Sequence, residues 1–150
     1  MKRELPNEEA TIVFAEAVYA AMADDLSGWT VLLQGELGAG KSTFARAFIK
    51  AAGHNGAVPS PTYTLVEPYK LSSATIYHVD LYRVSTEDEL RYLGWNELDD
   101  GFRLVEWPDR APGLMEAADL SVELFYAGES RTVSLEPLSE RGAALIQKIN

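Results

Sequence analysis

Apolar positions recur along the chain with two periods, about 3.6 residues in some stretches and 2 in others. The first helical stretch begins at Glu8-Glu9 behind a capping Asn7, places Ile12, Ala15, Val18, Tyr19 and Met22 on one stripe, and ends near Asp24. Ser27-Gly28 punctuates it. Thr30-Val31-Leu32-Leu33-Gln34 is a continuous apolar run bounded by glycine, the pattern of a strand buried on both faces. Helical spacing returns over Lys41 to Ala52, with Phe44, Ala45, Phe48 and Ile49 inward and Gly53 as the stop.

The next stretches read as strands. Thr62 to Tyr69 and Thr75 to Tyr82 are joined by Leu71-Ser72-Ser73, a link that suits an antiparallel hairpin because a parallel crossover needs a dozen or more residues. Thr86 is placed to cap a helix carrying Leu90 and Leu93, with Glu89 at the capping-box position. Phe102 to Trp107 is a strand ended by Pro108. Asp119 to Tyr126 and Arg131 to Glu136 alternate cleanly around Ala127-Gly128-Glu129-Ser130 and predict a terminal hairpin. A last helix runs from about Ser139 to Ile149.

The strand before Gly35 and the helix after it frame Gly35-Glu36-Leu37-Gly38-Ala39-Gly40-Lys41-Ser42, which fits G-x-x-x-x-G-K-[ST] without a mismatch. Glycines let the backbone curl so that several N–H groups face one phosphate, adding to the positive end of the helix. Lys41 is then placed to neutralise β- and γ-phosphates, and the Ser42 hydroxyl to ligate Mg²⁺. Together the elements predict an α/β fold: a single P-loop NTPase-type domain over residues 1–150, its mixed, partly antiparallel sheet flanked by helices.

Such a site needs a carboxylate near the metal, usually at the end of an apolar strand. Asp80 ends Ile76-Tyr77-His78-Val79-Asp80, and Glu106 closes Phe102-Arg103-Leu104-Val105-Glu106. Both positions suit ligands of α/β sheets, and spacing does not distinguish which carboxylate meets the metal. Pro59-Ser60-Pro61-Thr62-Tyr63-Thr64 lies where GTPases keep a γ-phosphate-sensing loop. Its residues alone describe a proline-stiffened connection. His78, among apolar neighbours, reads as a packed or partly exposed histidine rather than a general base, and His54 as a surface residue.

Charge narrows the partners. The 23 acidic against 13 basic side chains give −10, a field that repels phosphate backbones and disfavours a nucleic-acid-coating role. Cysteine is absent, so disulfides, thiolate zinc sites and a cysteine nucleophile are excluded. Glu8, Glu9 and Glu16 interrupt the N-terminus, which does not read as a signal peptide, and no apolar run is long enough for a membrane span. The expectation is a soluble cytoplasmic protein.

GELGAGKST, SPTYTLVEPY, IYHVDLYR, LGWNE and LVEWPDR, in this order, resemble the TsaE (YjeE) family, the small ATPase of bacterial tRNA threonylcarbamoyladenosine synthesis. The resemblance runs from the first helix to Arg131, nearly the whole chain. It implies a weak Mg²⁺-dependent ATPase that cycles between ATP and ADP. Leu37, Gly38, Ala39, Gly40, Lys41, Ser42 and Thr43 would wrap the phosphates, with Ser42 on Mg²⁺ where most relatives carry threonine. Glu106 matches the family's metal-linked glutamate, Trp107 its neighbouring tryptophan, and Asp80 the Walker-B-like aspartate. Thr62 falls in a switch-like segment, and Thr11 and Arg131 match positions near the base or sugar. The implied partners are a TsaD-like transferase and a TsaB-like subunit, with tRNA met only through that complex. Two rivals to this reading are a nucleotide-sensing scaffold without turnover and a small-molecule kinase. The kinase would need an arginine-rich lid, whereas Arg83, Arg91, Arg103 and Arg110 are scattered.

Overall fold

In a computed structural model, which describes residues 1–22 and 24–149, seven strands form one mixed sheet. They are β1 (Lys2–Leu5), β2 (Thr30–Gln34), β3 (Val66–Lys70), β4 (Thr75–Asp80), β5 (Phe102–Glu106), β6 (Leu120–Ala127) and β7 (Ser130–Pro137), in the spatial order β1-β7-β6-β2-β5-β4-β3. β2 lies parallel to β5 and β6, and β4 lies parallel to β5. The β3–β4 and β6–β7 pairs are antiparallel, as expected, and β1 adds antiparallel to β7.

The alternation along each strand divides the core between two faces. Val31, Leu33, Ile76, Phe102 and Leu104 pack under α1 (Glu8–Met22) and α2 (Lys41–Ala51), where Phe48 stacks on Phe102 at 4.9 Å between centroids. Burying a side chain of that size stabilises the fold by about 1.5–3 kcal/mol. Leu32, Val79 and Val105 face the other way. They are covered by Leu90 of a 3-10 helix (Glu87–Leu93), by Leu114 of α3 (Leu114–Ala117) and by neighbouring loops. The C-terminal helix α4 (Glu140–Ile149) packs against β7 and α1. No helix among the described residues is long and apolar enough to cross a membrane.

Asn7 caps α1 as predicted, its side-chain oxygen accepting from Ala10 N–H at 2.8 Å. The buried stripe is rotated from the expected one: Thr11 and Phe14 are inward and Ile12 is only half-buried. Other expectations differ as well. The strand expected over residues 62–69 starts only at Val66, because residues 61–64 form a turn closed by Leu65 N–H donating to Pro61 O at 2.7 Å. β4 ends at Asp80 and β5 at Glu106, short of the expected Tyr82 and Trp107. The helix expected after Thr86 is a 3-10 helix. Thr86 makes no side-chain cap there, and Glu89 instead accepts from Ser85 N–H at 3.3 Å.

Candidate functional site

β2 delivers the chain at Gln34 into the loop, and α2 begins at Lys41. Gly35 sits at φ +145°, where an added Cβ would lie 2.6 Å from Leu124 O; at Gly38, φ +80°, it would meet the Tyr126 hydroxyl. Glycine is required at both by backbone conformation and by the close approach of β6. The same hairpin holds two of the loop's carbonyls: Tyr126 hydroxyl donates to Leu37 O at 2.6 Å and Arg131 Nη2 to Gly38 O at 3.3 Å. The first-turn N–H groups of an α-helix have no intrahelical carbonyl to bond, and those of α2 belong to residues that line the cavity described below.

Lys41 Nζ donates to Gly35 O and, at 3.1 Å, to Glu36 O. It also lies 4.1 Å from the centroid of the Trp107 ring. Burial pushes this ammonium below the usual lysine range, while Glu106, Asp80 and Asp109 pull it back up. A partly desolvated cation at a helix N-terminus is a poised receptor for phosphate oxygen.

The parallel register of β4 and β5 places Asp80 opposite Glu106, both buried and both at strand ends. Asp80 is held from two sides: Thr62 hydroxyl donates to Oδ2 at 3.1 Å and Tyr82 N–H to Oδ1 at 2.8 Å. Ser60 Oγ stands 2.7 Å from Thr62 Oγ1. Glu106 Oε2 lies 2.6 Å from His78 Nε2. Trp107 follows in the left-handed region at φ 57°, a conformation that costs a bulky residue roughly 1–3 kcal/mol. That conformation sets its ring against both Lys41 and Tyr82, the latter at 5.0 Å.

Two adjoining cavities result. One, of about 210 Å³, is lined by Leu37, Gly38, Gly40, Lys41, Ser42 and Thr43 on the loop side. Ser60, Thr62, Asp80, Glu106 and Trp107 close it opposite. The other, of about 340 Å³, shares Gly38, Gly40 and Thr43 and adds Thr11 and Arg131. Every expected site residue except Ala39 lines one of them. Ala39 is buried in the core, and its N–H donates to Glu36 O at 3.0 Å.

The donors suit a hard cation. Among the described residues no three His, Asp or Glu side chains converge, but Ser42, Thr62, Asp80 and Glu106 bring oxygen to one cavity. Mg²⁺ typically uses one or two carboxylates and completes its shell with phosphate oxygens and water. The residues present fit that requirement.

Four residues not expected at the site, Leu5, Asn7, Glu8 and Glu129, line the larger cavity. Leu5 sits on β1, a strand with one buried position and hence no alternation to detect. Tyr126 was placed in the hairpin, but its contact spans 89 positions and has no local signal. His78 is buried, not partly exposed, and bonded to Glu106.

The family model described as "Threonylcarbamoyl adenosine biosynthesis protein TsaE" matches residues 5–133. A tRNA threonylcarbamoyladenosine biosynthesis protein TsaE of Haemophilus influenzae is 39% identical over 118 residues, covering 77% of this chain and 75% of the relative. That of Bacillus subtilis is 31% identical over 148 residues, 97% of this chain and 89% of the relative. The crystal structure of Bacillus subtilis YdiB superimposes with a TM-score of 0.77 at 27% identity, covering 99% of this chain and 93% of that one. With the family model matching most of the chain and the two TsaE relatives at 39% and 31% identity, the chain belongs to the TsaE family of tRNA threonylcarbamoyladenosine biosynthesis proteins.

Proposed function

We propose that this chain is a weak Mg²⁺-dependent ATPase that drives the cycle of the complex making threonylcarbamoyladenosine in tRNA. The observation that carries the reading is the convergence of the loop, Lys41, Asp80 and Glu106 on one cavity beside a second, larger one. ATP would lay its phosphates along Leu37 to Thr43 and its sugar and base toward Thr11 and Arg131. Mg²⁺, when bound, would neutralise phosphate charge. Ser42 and Glu106 are best placed to hold it, because both Asp80 oxygens already accept protein hydrogen bonds. Asp80 and Thr62 then act as one unit that fixes the switch-like segment against the phosphate end.

The loop itself contains no arginine to balance charge developing during phosphoryl transfer. A TsaB–TsaD pair would supply what is missing, and the free chain would then turn ATP over only feebly. The net charge of −10 fits a subunit that meets tRNA only through those partners. ATP turnover measured with and without the TsaB–TsaD pair tests this: acceleration is expected, and equal rates would overturn it. Asp80→Ala separates the ATPase from a nucleotide-sensing scaffold. Unchanged turnover in the complex with binding retained would overturn the catalytic assignment.

A further inference from the structure

One buried polar side chain beside the site has no part in the nucleotide chemistry above. His78 is 2% exposed and stands two residues before Asp80, on the face of β4 that also carries Asp80. Ile76 flanks it on its own strand and Leu104 is its cross-strand partner, both fully buried. Glu106, two positions beyond Leu104, is its diagonal neighbour, and Nε2 reaches Oε2 at 2.6 Å. A carboxylate only accepts, so Nε2 is the donor of this pair. Nδ1 is buried with no hydrogen-bond partner among the described residues, so polar contact through Nε2 alone distinguishes this ring from an apolar filler.

Lys41 and Glu106 share a cavity of about 210 Å³ and attract each other, yet no ion pair joins them among the described residues. The ammonium is engaged by Gly35 O and Glu36 O, and the carboxylate by His78. The two charges are therefore held apart, each by a fixed protein partner. Collapse of Glu106 onto Lys41 would occupy both groups and fill the space between the loop and the strand ends.

We propose that His78 is a positioning residue for the cation: it holds Oε2 of Glu106 so that Oε1 is presented to the cavity and kept off Lys41. This rests on the reading of the cavity as a Mg²⁺–nucleotide site. Partners that orient a ligating group typically change metal affinity or activity 10–100-fold when removed.

Three substitutions separate the hydrogen bond from packing. Glutamine places its amide nitrogen near the position of Nε2, asparagine places it near Nδ1 and out of reach, and leucine fills space without a donor. Binding of a fluorescent ATP analogue to the free chain is titrated with Mg²⁺ and repeated without it, with folding followed by circular dichroism. His78→Asn and His78→Leu are expected to raise the Mg²⁺ concentration at half-saturation roughly 10–100-fold. Mg²⁺-free binding should stay within about twofold, and His78→Gln should restore most of the Mg²⁺ response. The Asn–Gln contrast carries the test if the leucine variant does not fold. Unchanged half-saturation in folded His78→Asn, while Glu106→Gln shifts it, would overturn the role of His78 alone. A wild-type chain whose nucleotide binding ignores Mg²⁺ would overturn the underlying reading as well.

Discussion

Buried carboxylates stand at both ends of the parallel strands, and the protein treats them in opposite ways. Asp119 lies beside the start of β2 and accepts four hydrogen bonds. Thr30 N–H and Arg141 Nη2 donate to Oδ2 at 3.0 and 3.2 Å, and Ser139 Oγ and Arg141 Nε to Oδ1 at 2.8 and 3.2 Å. Burial pushes this carboxyl up, but the bonds from Arg141, Thr30 and Ser139 outweigh it and hold it below the usual aspartate range. At the other end, among the described residues, the equally buried Glu106 side chain has one protein partner and Lys41 has carbonyls and an aromatic face. A saturated carboxylate ties α4 to the sheet. An unsaturated one across from a partly desolvated lysine is the arrangement the proposed nucleotide site needs.

The largest expected effect falls at the unsaturated end. Lys41→Ala removes a charge-assisted contact to phosphate that is typically worth about 1.5–3 kcal/mol, or roughly 10–150-fold in ATP affinity. Calorimetric titration should show that loss, and the nucleotide-free chain should melt no earlier than wild type, because burial already disfavours the ammonium.

Asp119→Ala should do the reverse. It leaves the buried Thr30 N–H without its acceptor and strips the partly exposed Arg141 of its carboxylate, and a cost of about 2 kcal/mol would lower the melting temperature by roughly 4–8 °C. ATP affinity should hold. The acid side offers a finer check. Because the folded-state value of Asp119 lies below the unpaired 3.8, its contribution is present above that pH and lost as pH falls through the lower value. Denaturation of Asp119→Asn at successively lower pH should therefore show a shallower acid loss than wild type.

The smallest effect concerns Thr62. Thr62→Val releases Asp80 Oδ2 without touching the loop. Turnover in the assembled complex should fall by about tenfold, equivalent to ~1.4 kcal/mol, while ATP binding changes little. Equal losses of both would mean that Thr62 contacts the nucleotide directly.

These contrasts also explain what was legible from the residues alone. The loop and its flanking elements were readable because their chemistry is local: Gly35, Lys41 and Ser42 fall within eight positions. The strand-end placement of Asp80 and Glu106 followed from apolar runs. Their opposition, and the bond from His78 across 28 positions, arise only when β4 and β5 pair. β1 escaped because Leu5 is its single buried residue, and it is paired with β7 more than a hundred positions away. The hydroxyl-rich stretch around Thr62 has strand-like composition. It forms a turn because Asp80 binds it twice, through the Thr62 hydroxyl and through Asp80 N–H donating to Leu65 O at 2.9 Å. Local propensity there yields to a tertiary contact.

The central claim is that the half-satisfied end holds nucleotide and cation together. ATP titrated into the free chain with and without Mg²⁺, for wild type and Glu106→Gln, tests it most directly. Wild type should bind more tightly with Mg²⁺, and Glu106→Gln should lose that gain while keeping Mg²⁺-free binding. A Mg²⁺ gain that survives intact in Glu106→Gln, or no ATP binding by wild type, would contradict the account.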